Sequence, residues 1–213
     1  MSPEPGEAPE SGVRRLVAFT DAVVAIAITL IVLPLVDTAQ EGASSATDFL
    51  TANALGLGAA ALSFVVIAAF WKDHHRLYQG VTRSTRALVN ANLLWVAGIV
   101  FLPLPTVLVV SSPGHDSLAA GLYIGAVLVT QIAVRLQELI LARRGLLPPG
   151  REPVRGYLWA DWITAGLTAL ALAVTLSVPP AGLYPLLLML LSWPINWLVR
   201  RGGPPEARTH RIL

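Results

Sequence analysis

The chain alternates between long apolar runs and short polar segments over most of its 213 residues. A helix needs about 20 apolar residues to cross the hydrocarbon layer of a membrane. Runs of about that length occur at Leu16–Val36, Phe49–Trp71, Ala87–Val110, Leu118–Leu141, Tyr157–Val178 and Gly182–Val199. The pattern therefore predicts an all-α integral membrane protein with six transmembrane helices.

Basic residues occupy every second connecting segment. All 15 Lys and Arg lie before the first run, between the second and third, at the end of the fourth and in the loop after it, or after the sixth. The loops at residues 37–48, 111–117 and 179–181 hold none. Loops rich in Lys and Arg stay on the cytoplasmic side. Both termini are therefore predicted to be cytoplasmic, in a multi-pass protein of the cell membrane.

The composition agrees with this class and excludes others. Apolar residues make up 54% of the chain and charged residues 13%, whereas soluble proteins carry about 25% charged residues. The pI near 9.4 does not indicate nucleic-acid binding, because the basic residues are scattered among apolar runs and form no continuous patch. The chain contains no Cys, which excludes disulfides and thiolate metal sites.

The same pattern divides the chain into three segments. Residues 1–13 are rich in Pro, Glu, Gly and Ser and are predicted to form a disordered tail. Arg14 and Arg15 then lead into a full-length apolar run, which predicts a retained anchor and not a cleaved signal peptide. Residues 14–201 form the predicted six-helix transmembrane domain, and residues 202–213 form a cytoplasmic tail.

The first apolar run carries large aliphatic residues on one stripe. With a rotation of about 100° per residue, one helix face collects Phe19, Ala22, Ile26, Leu30, Leu33 and Asp37. Thr29 lies at the margin of this face and Asp21 lies on the opposite side. If copies of this helix surrounded a shared axis, the stripe would line a narrow pore. Asp37 would then form an acidic ring at the external mouth.

Both features also have simpler interpretations. A transmembrane helix needs apolar residues whether it faces lipid, a neighbouring helix or a pore, and Asp37 is also compatible with an ordinary loop acid. Asp21 is harder to explain in this way, because an acid at the membrane needs a partner. Its depth predicts a network with Arg15, Trp71, His74 and Asn92 that fixes the first helix to its neighbours.

A metal or catalytic site is not predicted. His74 and His75 are adjacent on a helix, so their side chains point about 100° apart and cannot both face one ion. No nucleophile elbow, phosphate-binding loop or zinc-protease motif occurs. We therefore expect no enzyme activity, no metal and no cofactor.

Several motifs in the first half resemble a known family. The segment Arg15-Leu-Val-Ala-Phe19-Thr20-Asp21 resembles the Arg-x-x-x-Phe-Ser-Asp signature of the transmembrane protein 175 family, with Thr20 in place of the usual Ser. The resemblance continues through Ala25-Ile-Ala-Ile-Thr-Leu30, Leu33, Trp71-Lys-Asp-His74, Asn92-Leu-Leu and Pro103-Leu-Pro105-Thr106. The members are potassium channels of endosomes and lysosomes, with single-repeat bacterial relatives. Spans four to six match only in hydropathy.

The resemblance implies a homotetramer in which the first helices surround the path of a permeating K⁺ ion. By similarity, Ile26 is the principal hydrophobic constriction, Leu30 and Leu33 are further rings, and Thr29 is a hydroxyl layer. A network that positions this helix is implied for Arg15, Phe19, Thr20, Asp21, Trp71 and His74. The expected function is a potassium-permeable cation channel with weak to moderate selectivity over Na⁺. Its expected partners are copies of itself, membrane lipid and monovalent cations.

Two other classes remain open. A secondary or proton-coupled transporter would place ionisable groups near the middle of the membrane, whereas here they gather at the predicted cytoplasmic ends. A membrane scaffold would show no transport at all. Ion flux through the purified protein distinguishes the three.

Overall fold

The computed structural model describes residues 7–42, 45–112, 116–147, 155–178 and 184. Within these residues the secondary structure is helical. The helices are α1 (Glu7–Gln40), α2 (Ala46–Ala52), α3 (Ala54–Tyr78), α4 (Arg86–Phe101), α5 (Pro103–Ser111), α6 (Ser117–Arg143) and α7 (Arg155–Ser177).

Four of the predicted membrane spans are confirmed as helices of membrane length. These apolar helices cover Gly12–Gln40, Ala54–Tyr78, Arg86–Ser111 and Ser117–Arg143. The fifth predicted span falls on α7, of which Trp162–Ser177 is a shorter apolar helix. The sixth span, Gly182–Val199, and the tail at residues 202–213 lie outside the described residues, apart from Tyr184. Helix α1 begins at Glu7, so it reaches into the segment predicted as a tail.

Local capping explains where several helices begin and end. Thr85 precedes α4 and accepts a hydrogen bond from the Leu88 amide at 3.2 Å, and Asp116 precedes α6 and accepts from the Leu118 amide at 2.9 Å. Beyond α6, Gly145 has a positive φ of 63°. This conformation lets the Leu146 amide donate to the Leu141 carbonyl at 2.9 Å, which ends the helix.

The third membrane span is broken into α4 and α5. Pro103 and Pro105 lack the backbone N–H groups that would continue the ladder of the helix. Pro103 removes the usual donor to the Ile99 carbonyl, and the Leu102 amide donates to that carbonyl at 3.2 Å in its place. The Thr106 hydroxyl adds a second hydrogen bond to the Leu102 carbonyl, which already accepts the Thr106 amide.

Helices α4 and α6 form the centre of the fold, with α1 and α3 packed around them. Gly98 allows this close approach, because a Cβ atom at that position would collide with the hydroxyl of Thr130 on α6. In the most apolar 18-residue stretch of α6, 61% of the residues are buried, compared with 28% in α1 and 17% in α3. Helices α1 and α3 thus keep large apolar faces uncovered within one chain.

Candidate functional site

Helix α1 has one face buried in the interior of the chain. Val24, Ala27 and Ile31 on this face have only 1% to 4% of their surface exposed. They belong to the main hydrophobic core, which also contains Trp95 and Ile99 of α4. Helix α1 contacts α3, α4 and α5. The orientation of α1 about its own axis is therefore fixed by packing against three neighbours.

The predicted stripe lies on the exposed side of the same helix. We use the name α1 stripe for Phe19, Ala22, Ile26, Leu30 and Leu33. Its four large residues are 41% to 58% exposed. Thr29 and Asp37 are exposed as well, and the Thr29 hydroxyl donates to the Ile26 carbonyl at 2.7 Å. The structure thus places all the predicted pore residues on surface that the single chain leaves uncovered.

A chain of hydrogen bonds connects α1 to α4 and α3 near the predicted cytoplasmic ends of these helices. The Thr20 hydroxyl donates to the Leu16 carbonyl at 2.9 Å and accepts from Nδ2 of Asn92 at 2.9 Å. Oδ1 of Asn92 lies 2.7 Å from Nε2 of His74. An amide oxygen can only accept, so Nε2 of His74 carries the proton. All three side chains are fully buried.

Aromatic rings hold His74 in this position. Its ring stacks on Trp95 with centroids 4.3 Å apart and on Tyr78 with centroids 4.6 Å apart. Trp95 belongs to α4, while Tyr78 lies one turn further along α3. His74 is thus held by stacking on two helices and by the hydrogen bond of Nε2, while its buried Nδ1 has no hydrogen-bond partner among the described residues.

Asp21 forms a separate contact nearer the surface. The indole Nε1 of Trp71 donates to Oδ1 of Asp21 at 2.8 Å, joining α3 to α1. Asp21 lies off the α1 stripe, as the helical wheel predicts. The structure does not bring the other two expected residues into the network. Arg15 is exposed and forms no ion pair with Asp21, and Phe19 is a half-exposed member of the α1 stripe.

A second polar cluster is not predicted by the sequence pattern. The Ser63 hydroxyl lies 2.8 Å from the Thr106 hydroxyl and 3.5 Å from that of Tyr123. This cluster joins α3, α5 and α6 beside the break in the third span. Single hydroxyl residues within apolar runs are common. Because these three lie on different helices, no spacing along one helix indicates that their side chains meet. By contrast, Arg135 and Glu138 are three residues apart on α6 and form an ion pair at 2.7 Å.

Within the described residues, no three His, Asp or Glu side chains come close enough together to hold a metal ion. A shallow pocket lies at the far end of α1 and is lined in part by Thr38, Glu41 and Asp48. The candidate site therefore consists of an exposed apolar stripe and the hydrogen-bonded contacts that fix its helix.

These features define the class of the protein. Several apolar helices of membrane length, joined through a buried polar chain, make it a multi-pass integral membrane protein. Residues 15–103 match the sequence profile of the family described as the endosomal/lysosomal potassium channel TMEM175. The match confirms the resemblance carried by the sequence motifs, and residues 15–103 include every predicted site residue. The family is one of ion channels and not of enzymes.

Individual relatives agree with the family match. A protein of Streptomyces collinus named as a potassium channel is 33% identical over 133 residues, which are 61% of this chain and 63% of that protein. A human protein named endosomal/lysosomal proton channel TMEM175 is 29% identical over 131 residues, which are 60% of this chain and 25% of that protein.

A solved structure extends the likeness beyond the matched sequence segment. The crystal structure of a lysosomal potassium-selective channel TMEM175 homolog from Chamaesiphon minutus aligns with a TM-score of 0.64 and 25% identity. The alignment covers 91% of this chain and 100% of that one. In sequence, the chain spans only 63% to 65% of the length of the curated bacterial relatives.

Proposed function

We propose that the chain is a subunit of a potassium-permeable cation channel whose narrowest part is a hydrophobic constriction on α1. One observation carries the proposal. The residues that the family resemblance assigns to the pore lie on one continuous exposed face of α1, while the opposite face is fixed in the core of the subunit.

The α1 stripe requires an environment that one subunit does not supply. In the proposed assembly, four copies surround a central axis and present their stripes to it, as the resemblance implies. Closed cyclic symmetry places the same face of each copy at the axis. Val32 on α1 is exposed as well but lies about 120° away from Ile26 around the helix. Lipid or a neighbouring helix would cover that side.

The constriction would act through its lack of polar groups. Rings of Ile26, Leu30 and Leu33 extend over about 10 Å at 1.5 Å per residue. A narrow apolar passage of this kind excludes water when closed. When it widens slightly, a cation passes only after losing part of its hydration shell. K⁺ sheds water more readily than Na⁺, so the passage favours K⁺ to a limited degree.

The groups around the stripe have supporting roles in this mechanism. Thr29 at the margin supplies a hydroxyl oxygen between two apolar rings, and Asp37 at the external end would raise the local cation concentration. Asn92 and His74 act indirectly. They hold Thr20 through the hydrogen bonds described above, and this contact fixes the orientation of α1. A rotation of α1 by one residue, about 100°, would replace Ile26 at the axis with a neighbour of different size.

A channel fits the described residues better than a carrier does. Carriers place ionisable groups near the middle of the membrane, where they bind and release the coupling ion. Within the described part of the chain, no Asp, Glu, Lys or Arg side chain is fully buried. Transport that requires a proton gradient would instead support the secondary or proton-coupled transporter.

Ion flux through purified protein in liposomes tests the proposal. Ile26→Asn is expected to increase K⁺ flux and to reduce the preference for K⁺ over Na⁺, because a polar side chain stabilises water in the constriction. Val32→Asn is the matched control, since it adds the same polar group to an exposed position of α1 outside the stripe. Flux should be measured for K⁺ and Na⁺, with a pH-sensitive dye to detect protons.

The Val32→Asn control distinguishes a pore-lining position of Ile26 from a lipid-facing one. If Ile26→Asn leaves flux and reversal potential unchanged, or if Val32→Asn alters them equally, Ile26 does not line the permeation path. The absence of flux from wild-type protein would favour the scaffold. The human relative is named a proton channel, so proton flux with K⁺ absent is the informative additional measurement.

A further inference from the structure

The predicted cytoplasmic ends of four helices converge on a second hydrophobic cluster. We call it the inner-end cluster; it consists of the buried residues Val13, Tyr78, Val81, Leu88 and Leu141. These residues belong to α1, α3, the loop after α3, α4 and α6. Gly12 also approaches this loop closely, since a Cβ atom there would lie 3.2 Å from Oγ of Ser84.

Six arginines are close neighbours in the chain of the residues that form this cluster. Each lies within three residues of a cluster member in the chain, so all six are held around the same packed unit. All six side chains are exposed, and none forms an ion pair or hydrogen bond with another described residue. We call this set the arginine collar: Arg14, Arg15, Arg83, Arg86, Arg143 and Arg144.

Other arginines at this end of the helices have carboxylate partners. Arg76 forms an ion pair with Asp73 at 3.4 Å, and Arg135 forms one with Glu138 at 2.7 Å. The collar therefore concentrates positive charge that the described part of the protein does not neutralise. An excess of positive charge at a fixed depth attracts an external anion.

We propose that the arginine collar binds the phosphate groups of anionic phospholipids in the leaflet around these helix ends. The guanidinium group donates two parallel hydrogen bonds to phosphate, so it suits this partner better than an ammonium group does. Basic clusters directly beside membrane helices attract anionic lipids. The proposal does not depend on channel activity.

The arrangement favours a lipid over free phosphate. The six arginines are spread over the ends of α1, α4 and α6 and the loop between α3 and α4. Exposed apolar side chains on α4, including Leu93 and Leu94, continue from the collar towards the middle of the membrane. A phospholipid uses both features, because its headgroup meets the arginines while its acyl chains cover the apolar surface.

Lipid binding to the full-length protein in detergent tests this proposal. Phosphatidylglycerol and phosphatidylcholine with identical acyl chains are added separately. Native mass spectrometry counts the retained lipids, and tryptophan fluorescence follows thermal unfolding. We expect phosphatidylglycerol to be retained at several molecules per subunit and to raise the melting temperature, whereas phosphatidylcholine should do neither.

Variants identify the collar as the site. The fourfold change Arg14→Gln, Arg15→Gln, Arg143→Gln and Arg144→Gln should lower the affinity for phosphatidylglycerol by about tenfold or more, since each arginine contributes attraction. Arg76→Gln is the matched control, because Arg76 is exposed at the same end but has an internal partner. The corresponding Arg→Lys variant keeps the charge and should retain intermediate affinity.

Each other outcome contradicts the proposal. Equal retention of the two lipids would show that charge plays no role, and equal losses in the fourfold variant and Arg76→Gln would show that the collar is not the site. Displacement of phosphatidylglycerol by inorganic phosphate, but not by chloride at equal ionic strength, would assign the collar to free phosphate. If the Gln variant does not fold, the comparison of the two lipids on wild-type protein and the affinity of the Lys variant still test the proposal.

Discussion

The two faces of α1 are both largely apolar, but only one of them is buried within the chain. Ala27 and Ile31 are almost completely buried, whereas Ile26 and Leu30 are about half exposed. In water, exposed aliphatic residues in such a row would be unfavourable. In a membrane, lipid is as apolar as leucine, so hydrophobicity alone does not determine which face turns inward.

Small and polar residues make the difference between the faces. Ala27 lets α1 approach its neighbours closely, and Thr20 supplies a hydroxyl that needs a partner away from lipid. The α1 stripe has neither feature over its central part, where Ile26, Leu30 and Leu33 are large. Close packing and hydrogen bonding therefore determine which face of α1 is buried. The α1 stripe stays exposed and is available for another role.

The strongest test of the buried face removes its hydrogen-bonded centre. Asn92→Leu deletes the acceptor of the His74 N–H group and the donor to Thr20. Leaving buried polar groups without partners should lower the free energy of unfolding by about 2–4 kcal/mol. Denaturant titration of the protein in mixed micelles measures this change.

Asn90→Leu is the control for that variant, because Asn90 lies on the same helix but is exposed. It should change the stability by less than about 0.5 kcal/mol. Similar losses in the two variants would show that the network does not hold α1, and that packing alone orients the helix.

A somewhat smaller effect is expected from overfilling the same face. Ala27→Leu adds three carbon atoms at a position with 1% exposure, where α1 meets its neighbours. Overpacking of this kind costs about 1–3 kcal/mol. Ala25→Leu adds the same atoms at an exposed position of α1 and should have little effect on the stability of the subunit. Thermal unfolding of both variants, measured side by side in detergent, checks the difference.

The sequence predicts the faces of α1 better than it predicts their partners. A helical wheel separates Asp21 from the α1 stripe, and the structure agrees. The predicted network includes both Arg15 and Trp71 beside Asp21; Trp71 bonds to Asp21 at 2.8 Å, whereas Arg15 is exposed and forms no ion pair with it. Depth along a helix restricts which residues can meet, whereas the rotation of each helix decides which of them do, and rotation depends on packing in three dimensions.

Elements governed by local chemistry could be predicted, and those formed between helices could not. The lengths of the first four spans follow from hydropathy, and the break at Leu102 follows from Pro103 and Pro105. The cluster of Ser63, Thr106 and Tyr123 requires three helices to pack in one arrangement. The assembly of subunits belongs to the same category and stays a prediction.

The smallest effect on subunit stability is expected on the exposed face, and it gives the sharpest contrast with Ala27. Ile26→Ala removes apolar atoms that contact little within the single chain, so the free energy of unfolding of the separated subunit should change by less than about 0.5 kcal/mol. If the α1 stripe faces copies of itself across an axis, the same variant should reduce the fraction of assembled protein, which cross-linking in liposomes measures. Loss of assembly without loss of subunit stability is the expected combination. A drop in subunit stability comparable to that of Ala27→Leu would instead show that Ile26 packs inside its own subunit, and the distinction between the two faces would then fail.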